Sequence, residues 1–426
     1  DLGYADLGIN GNKQFDTPNI DKIFKSGVQF KQGYVSNSVC APSRAGLLTG
    51  KMGSRFGFEA NLPHKEASKP GSTIGLDPKE KTMADVLKTA GYKTIGIGKW
   101  HLGDNDEYFH PNKRGFDDFV GLVGGSRPYW PLTEQDHIRS LQHNGKYIDE
   151  SKIKDFYITD YLTDRAIGLI ETQTKQKPEQ PFFMYMSYTA PHGPMHAKEE
   201  FLKDLGHIKN EKRRIYAGMM LSLDENVGKL LKTLDDLKIT ENTIIVFMSD
   251  NGGPLAGKNW SNNGYLKGKK GSLFEGGIRV PYAISWKNTI PAEQVNNTPV
   301  ISLDLLPTFA AAAKADIKCI KTDGVNLLPL LTKKVSKLKK RDFFWRRGGG
   351  KKLAFIEAPY KYYRSANGEV LINLDKDVSE KNNIADQNPK ILKRLRLKWE
   401  KLNKEMKIPA WKSDWKPNSK KKKKKK

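Results

Sequence analysis

The chain has 426 residues, a hydrophobic fraction of 37% and a formal net charge of +25. A chain of this length can bury a large core, and its hydrophobic and aromatic content excludes a disordered protein. No run of 18 apolar residues occurs, so the sequence predicts no membrane-spanning helix. The lysine run at 420–426 contributes seven of the charges, and we expect it to be a disordered tail.

The remaining charge is still strongly basic, and much of it lies in clusters at 333–341 and 346–352. A basic surface raises the local concentration of polyanions. No helix-turn-helix, zinc-finger or RNP pattern accompanies the charge, so we expect no nucleic-acid partner. A sulfated polysaccharide fits a basic surface as well as a nucleic acid does. For any single cluster, a solvated lysine-rich surface without a partner is an equal explanation.

Apolar runs alternate with amphipathic helical patterns over much of the chain. Helices are predicted after Cys40 and at 82–88, 159–171 and 215–237, and strands at 92–98, 182–188 and 243–248. Apolar strands separated by such helices indicate an α/β fold, with a mostly parallel central sheet covered by helices on both faces.

The pattern changes after about residue 335. Shorter strands are predicted at 342–345, 353–364 and 369–374, and an amphipathic helix at 389–406. We therefore expect a main domain at 1–335 and a C-terminal subdomain at 336–419, built from a small antiparallel sheet and one helix.

Charged and metal-competent side chains follow the three predicted central strands. Lys99 and His101 come directly after the first strand, His192 after the second, and Asp250 and Asn251 after the third. Ligands of open parallel sheets bind beyond the carboxyl ends of the strands. Taken singly, each group has an ordinary structural explanation, such as a turn. Together they indicate a catalytic rim.

The most specific motif lies at residues 40–50, where the pattern C-x-P-S-R is followed by L-T-G. Pro42 and Ser43 suit the first turn of a helix. Cys40 then lies at the positive end of that helix, where anions are favoured. A buried cysteine before an ordinary helix is the alternative for this segment alone.

This motif resembles the activation signature of the type I sulfatases, which belong to the alkaline-phosphatase superfamily. Five further motifs resemble family elements in the same order: T-P-N-I-D at 17–21, G-Y-x-T-x-x-x-G-K-W-H at 91–101, P-H-x-P at 191–194, S-D-N-G at 249–252 and K-G-x-x-x-E-G-G at 270–277. The resemblance covers nearly the whole chain and implies an alkaline-phosphatase-like fold.

The resemblance also implies a mechanism. A maturation enzyme would oxidise Cys40 to Cα-formylglycine, whose hydrate attacks the sulfate ester. A divalent metal, Ca²⁺ or alternatively Mg²⁺, would be held by Asp1, Asp250, Asn251 and residue 40, because these residues offer oxygen donors.

The remaining catalytic roles implied by the resemblance fall on five side chains. Arg44 and Lys99 would hold the nucleophile and the sulfate oxygens. His101 would be the base that expels sulfate, and His192 and Lys270 would contact the sulfate and the leaving oxygen. Of these last two, His192 is the better proton donor near neutral pH.

The beginning of the chain departs from the family pattern. The family starts with an apolar strand that ends in two aspartates, and Asp1 resembles the second of that pair. We therefore expect the first strand, another metal-binding carboxylate and a signal peptide upstream of Asp1, and a periplasmic or secreted protein. The two cysteines, Cys40 and Cys319, do not report the compartment.

Candidate substrate contacts lie in two loops. Arg127 stands near Tyr129 and Trp130, a combination that can stack on a sugar and pair with an anionic group, and Trp260 is a further candidate. A packed surface loop explains residues 124–131 equally well. With the basic surface, these residues favour a carbohydrate sulfatase acting on an anionic polysaccharide or its oligosaccharides. A phosphate or phosphonate ester hydrolase and an unmatured polyanion-binding protein are the alternatives.

Overall fold

The structure is a computed structural model that describes residues 1–104 and 106–412. Its helices are α1 (Pro18–Lys25), α2 (Cys40–Thr49), α3 (His64–Ala67), α4 (Met83–Thr89), α5 (Asp106–Phe109), α6 (Ile158–Gln176), α7 (Glu211–Asp236), α8 (Glu275–Ile278), α9 (Leu305–Ala312), α10 (Leu328–Leu331) and α11 (Pro389–Asn403).

Its strands are β1 (Gly27–Phe30), β2 (Gly33–Tyr34), β3 (Lys93–Lys99), β4 (Asp118–Leu122), β5 (Gln142–His143), β6 (Lys146–Tyr147), β7 (Phe182–Ser187), β8 (Ile245–Met248), β9 (Tyr282–Ser285), β10 (Gln294–Asn296), β11 (Val300–Ile301), β12 (Asp342–Arg347), β13 (Lys352–Glu357), β14 (Tyr360–Ser365) and β15 (Gly368–Asn373).

The predicted α/β architecture is confirmed, and its sheets are mixed. One sheet has the order β6-β5-β4-β3-β7, in which β3 runs parallel to both β4 and β7. A second sheet has the order β10-β1-β9-β8, in which β9 runs antiparallel to β1 and β8. The direction of β9 was not predictable from hydrophobicity, because a fully apolar strand reads the same in either direction.

Helices cover both faces of these sheets, as the sequence predicts. Helices α2, α4 and α9 contribute to one apolar cluster, α6 to a second and α1 and α7 to a third. The amphipathic patterns of α1, α6 and α7 explain which side of each helix is buried, whereas α2 is buried on nearly all sides.

The small C-terminal antiparallel sheet with its helix is confirmed. Its strand order is β12-β13-β14-β15, and all neighbours are antiparallel. The expected single strand at 353–364 is wrong, because β13 and β14 form a hairpin that turns at Pro359, which cannot donate a ladder hydrogen bond. Helix α11 ends at Asn403, earlier than expected, and stacks Trp399 on Phe344.

An apolar slot separates strands β7 and β8, which are the facing edges of the two large sheets. The slot has a volume of about 550 Å³ and is lined by both strands and by helices α6, α7 and α9. Both edge strands are only half-buried, and Asp1 lies among the residues that line the slot. The upstream strand expected from the sequence stays a prediction, and this slot has the lining that an apolar strand requires.

No helix in the described part of the chain is long and apolar enough to cross a membrane. The boundary expected between residues 335 and 336 stays a prediction. The lysine tail at 420–426 lies outside the described residues.

Candidate active site

The groups predicted at the strand ends meet at one rim. Lys99 ends β3, His192 follows β7, and Asp250 and Asn251 follow β8. Helix α2 begins at Cys40, which is 1% exposed, and directs its first turn toward the same rim. The fold therefore brings Cys40 and Asn251, which are 211 positions apart in the sequence, to the same rim.

Asp1 links four of the predicted residues. Its Oδ1 lies 2.6 Å from Lys270 Nζ, accepts a hydrogen bond of 2.9 Å from Asn251 Nδ2, and lies 4.0 Å from Cys40 Sγ. Its Oδ2 lies 3.6 Å from His192 Nε2. This carboxylate is therefore surrounded by the nucleophile position, a lysine and an imidazole.

Arg44 holds the second carboxylate of the site. Its Nε and Nη2 donate to Asp250 Oδ2 over 3.1 and 3.0 Å, and its Nη1 donates to the carbonyl oxygen of Lys99 and to Ser187 Oγ. All of these groups are buried or nearly so. The guanidinium of Arg44 therefore fixes Asp250 and joins the ends of β3, β7 and β8.

His101 is held in an uncommon conformation. Its φ is +64°, in the left-handed region that few residues other than glycine adopt. Its side chain is buried, and neither ring nitrogen has a hydrogen-bond partner among residues 1–104 and 106–412. Strain and unpartnered polar atoms of this kind concentrate at functional sites.

Burial and crowded positive charge perturb the titration of the site. Burial lowers the pKa of Lys99 to about 8 and that of His101 to about 3. Burial, followed by the charges of Lys270 and Lys99, lowers the pKa of His192 to about 4. Burial alone would raise the pKa of Cys40, but these two lysines hold it well below its ordinary value. The site therefore favours anions.

Asp250 shows the same electrostatic preference. Burial opposes its ionisation, but the positive charges of Arg44, Lys99 and Lys270 hold its pKa well below the ordinary value. Asp250 is therefore a carboxylate at neutral pH, which is the form that binds a metal.

The structure corrects two of the predicted substrate contacts. Arg127 is 2% exposed, and its Nη1 and Nη2 each lie 2.6 Å from a carboxylate oxygen of Glu150. Tyr129 is fully buried, and its hydroxyl donates a hydrogen bond of 2.9 Å to the carbonyl oxygen of His192. These residues support the loop and the His192 backbone from within, because the buried guanidinium requires an internal partner.

The two tryptophans predicted as substrate contacts are less buried than Arg127 and Tyr129. Trp130 is 41% exposed and borders a second cavity together with His196 and Arg214. Trp260 is half-buried, and its carbonyl oxygen accepts a hydrogen bond from Arg213. Contact of either indole ring with a substrate stays a prediction.

Several supporting residues were not identified from the sequence. Asn61 accepts a hydrogen bond from the Ala41 amide at the start of α2, and Tyr185 and Ser187 accept hydrogen bonds from Arg44. Asn259 is buried and donates to the carbonyl oxygens of Asp1 and Pro191. These residues carry no local signal, because their roles arise only from tertiary proximity.

Comparisons with known proteins agree with this arrangement. The family model described as Sulfatase matches residues 1–315. The N-acetylgalactosamine-6-sulfatase of Canis lupus familiaris is 34% identical over 366 residues, which cover 82% of this chain and 67% of that protein. The arylsulfatase A of Homo sapiens is 32% identical over 346 residues, which cover 78% of this chain and 66% of that protein.

A solved structure is similar over almost the whole chain. The crystal structure of Ps i-CgsB in complex with k-i-k-neocarrahexaose has a TM-score of 0.88 and 37% sequence identity, and the match covers 96% of this chain and 92% of that chain. The match therefore extends through the C-terminal antiparallel sheet. On these grounds the chain belongs to the sulfatase family and is a sulfuric ester hydrolase.

Proposed function

We propose that the protein removes sulfate from an anionic sulfated polysaccharide or its oligosaccharides, using formylglycine formed from Cys40 and a divalent metal. The observation that carries this proposal is the position of Cys40, at the first residue of a buried helix and 4.0 Å from a carboxylate oxygen of Asp1. Lys99 and Lys270 act on the same sulfur electrostatically. This environment suits an anionic substrate at the nucleophile.

The donor set fits a hard divalent cation. Asp1 and Asp250 supply carboxylates, and Asn251 Oδ1 is buried without a hydrogen-bond partner among the described residues. A buried carbonyl oxygen without a partner is costly unless a ligand satisfies it. Oxygen donors favour Ca²⁺, with Mg²⁺ as the alternative. Cys40 Sγ marks the position where oxidised residue 40 would add its own oxygen atoms.

The catalytic side chains of the proposed site then divide the work of the reaction between them. Formylglycine and the metal, when present, supply an activated oxygen nucleophile for attack at sulfur. Lys99 and Arg44 offset the negative charge around the sulfate, and Arg44 also orients Asp250 through two hydrogen bonds.

Two histidines handle protons at different stages. His192 gives a proton to the departing alcohol oxygen, and Lys270 is the second candidate for this step. The neutral state that burial imposes on His192 changes when an anionic sulfate lies beside the ring, because a nearby negative charge raises the pKa of an imidazole. His101 accepts a proton when sulfate is expelled, and its two unpartnered ring nitrogens leave it free to do so.

The carbohydrate assignment rests on likeness and on surface chemistry. The relative from Canis lupus familiaris is named for N-acetylgalactosamine-6-sulfate, and Ps i-CgsB was solved with k-i-k-neocarrahexaose. The exposed Trp130 offers an aromatic surface of the kind that stacks on sugars. We also propose a periplasmic or secreted location, where the enzyme could reach a large external polymer, and a partner enzyme that matures Cys40.

The decisive test combines mass spectrometry with matched substrates. Protein made in a host with the maturation enzyme should show CHO in place of CH₂SH in the peptide that contains residue 40. It should release sulfate from a sulfated oligosaccharide faster than phosphate from the matched phosphate ester. An unmodified peptide would disprove the mechanism. Faster release of phosphate would support the alternative function, a phosphate or phosphonate ester hydrolase.

Metal dependence is tested on the same protein. Chelation should inactivate it, and Ca²⁺ should restore activity better than Zn²⁺, because the proposed ligands are oxygen atoms. Asp250→Ala should lower metal content as well as rate. Full activity in the metal-free protein would exclude the proposed metal.

A further inference from the structure

A second imidazole lies against the catalytic histidine. The rings of His64 and His101 stack with centroids 5.4 Å apart and planes 12° from parallel. His64 begins the short helix α3, and its side chain is 35% exposed, whereas His101 is buried. The His101 ring therefore lies next to a nearly parallel ring that comes from a different part of the chain.

His64 is itself fixed by a buried carboxylate. Its Nδ1 lies 2.7 Å from Asp104 Oδ2, and Ser68 Oγ donates to the same oxygen over 3.3 Å. Asp104 is completely buried, and no lysine or arginine of the described chain forms a salt bridge with it. An Nδ1–H bond to a carboxylate sets both the tautomer and the orientation of an imidazole. The Asp104 carboxylate therefore fixes the plane of the His64 ring.

His101 needs support of this kind because no hydrogen bond from the described residues orients its ring. Both ring nitrogens lack partners among residues 1–104 and 106–412, and the torsion between the ring and Cβ is intrinsically broad. Close packing is the remaining restraint. A Cβ atom added to Gly125 would lie 2.6 Å from the His101 ring, so the backbone approaches the ring closely at that point.

We propose that His64, oriented by Asp104, is a positioning residue that holds the His101 imidazole in the orientation needed for turnover. The inference rests on the proposed function, in which His101 acts after the alcohol has left. A flat ring stacked on His101 restrains rotation of the catalytic ring, whereas a flexible aliphatic side chain does not. Misplacing a catalytic group by about 1 Å can cost about 100-fold in rate.

The test compares a planar with a non-planar side chain at position 64. Both variants carry Asp104→Asn, so that no buried carboxylate loses its partner. His64→Phe should keep kcat within about twofold of Asp104→Asn alone, whereas His64→Leu should lower kcat about tenfold with little change in KM. Both a sulfated oligosaccharide and an aryl sulfate should show the same loss, because the affected step follows departure of the alcohol.

Rapid-mixing kinetics give a second readout. The leucine variant should release a burst of alcohol and then turn over slowly, whereas a merely destabilised protein would lose burst and steady state together. His64→Met in the same background provides the same comparison if the leucine protein does not fold. His143→Leu is the matched control, since His143 is 39% exposed, lies 4.0 Å from Asp118 and belongs to β5, two strands away from β3 in the five-stranded sheet.

Equal kcat in the phenylalanine and leucine variants would overturn the proposal. A raised KM with unchanged kcat would also overturn it, because His64 would then be a substrate contact. These results differ from failure of the proposed function, in which the matured wild-type protein would release no sulfate from any ester.

Discussion

Two buried clusters of this protein combine basic and acidic side chains, one at the junction with the C-terminal sheet and one at the catalytic rim. The first cluster pairs its charges internally, whereas the second leaves polar atoms for ligands. At the junction with the C-terminal sheet, Lys361 Nζ lies 2.8 Å from both Glu275 Oε1 and Glu380 Oε1, and all three side chains are at most 1% exposed. Tyr34 and Arg279 also contact Glu275. This cluster compensates its own charges, and no ligand is needed to complete it.

The catalytic rim is compensated only in part. Its lysines and Arg44 face the carboxylates of Asp1 and Asp250, while Asn251 Oδ1 and the ring nitrogens of His101 have no partner within the described residues. Positive charge and unpartnered polar atoms remain for a metal and an anionic substrate. The comparison shows that burial of charge alone does not identify an active site, because both clusters are buried and only the rim keeps polar atoms in position for ligands.

The largest expected effect is the loss of the nucleophile at the rim. Cys40→Ala and Cys40→Ser should fold but lose turnover by about 10⁴-fold or more, because neither residue can yield the aldehyde. Sulfate release and thermal unfolding measured on one preparation separate chemistry from folding. Cys319→Ala is the control, because this exposed cysteine is remote in sequence from every site motif. A wild-type rate in Cys40→Ala would disprove the mechanism.

The next largest effect tests whether His192 is the proton donor of the rim. His192→Ala should lower the rate on a sulfated oligosaccharide by about 10²–10⁴-fold, and far less on a nitrophenyl sulfate. A sugar alkoxide accumulates charge as it leaves, whereas a nitrophenolate delocalises that charge. The measurement is kcat/KM for both substrates, with the exposed His207→Ala as control. Equal losses would assign the proton donor to Lys270 instead.

Breaking the compensated cluster should change stability rather than chemistry. Lys361→Met leaves two buried glutamates without their shared cation, and we expect a loss of about 3–5 kcal/mol in the free energy of unfolding. Urea titration measures this loss. The exposed Lys376→Met should stay within about 0.5 kcal/mol of wild type. Lower kcat in folded Lys361→Met protein would show that the junction also acts on the rim.

The smallest effect concerns the second glutamate of the same cluster. Burial, opposed by Lys361 and reinforced by Glu275, raises the pKa of Glu380 to about 7 from an ordinary value of 4.5. The native state therefore holds this proton more tightly than the unfolded state, and stability from this group falls as pH rises from 4.5 toward 7.

Replacement of this group by a neutral amide tests that assignment. Glu380→Gln should lie within about 1 kcal/mol of wild type at pH 6, because glutamine resembles the protonated acid. The free energy of unfolding of Glu380→Gln should rise relative to that of wild type as pH rises to 8. The wild type loses stability as Glu380 ionises, whereas glutamine does not titrate. Urea titrations at both pH values test this result. A loss above about 3 kcal/mol at pH 6 would show that Glu380 is ionised in the native protein.

Much of the fold was predictable from the sequence. The apolar runs at β3, β7 and β8 and the helical patterns at α2, α4, α6 and α7 were recognised because burial on two faces or on one stripe leaves a periodic signal. The single strand expected at 353–364 failed at Pro359, a residue that argues for a turn. Strand direction carries no such signal, and the mixed four-stranded sheet was not predictable for that reason.

By itself the sequence determined the family, through motifs whose residue types suit the chemistry of sulfate transfer and whose order along the chain follows that of the family. It placed Cys40 at a helix start and polar groups at three strand ends, because these features are local. Only the tertiary structure decided that Arg127 pairs with Glu150 and that the ring of His64 stacks with that of His101. Such pairings depend on which distant segments pack together, and hydrophobic periodicity does not encode the partner of a buried charge.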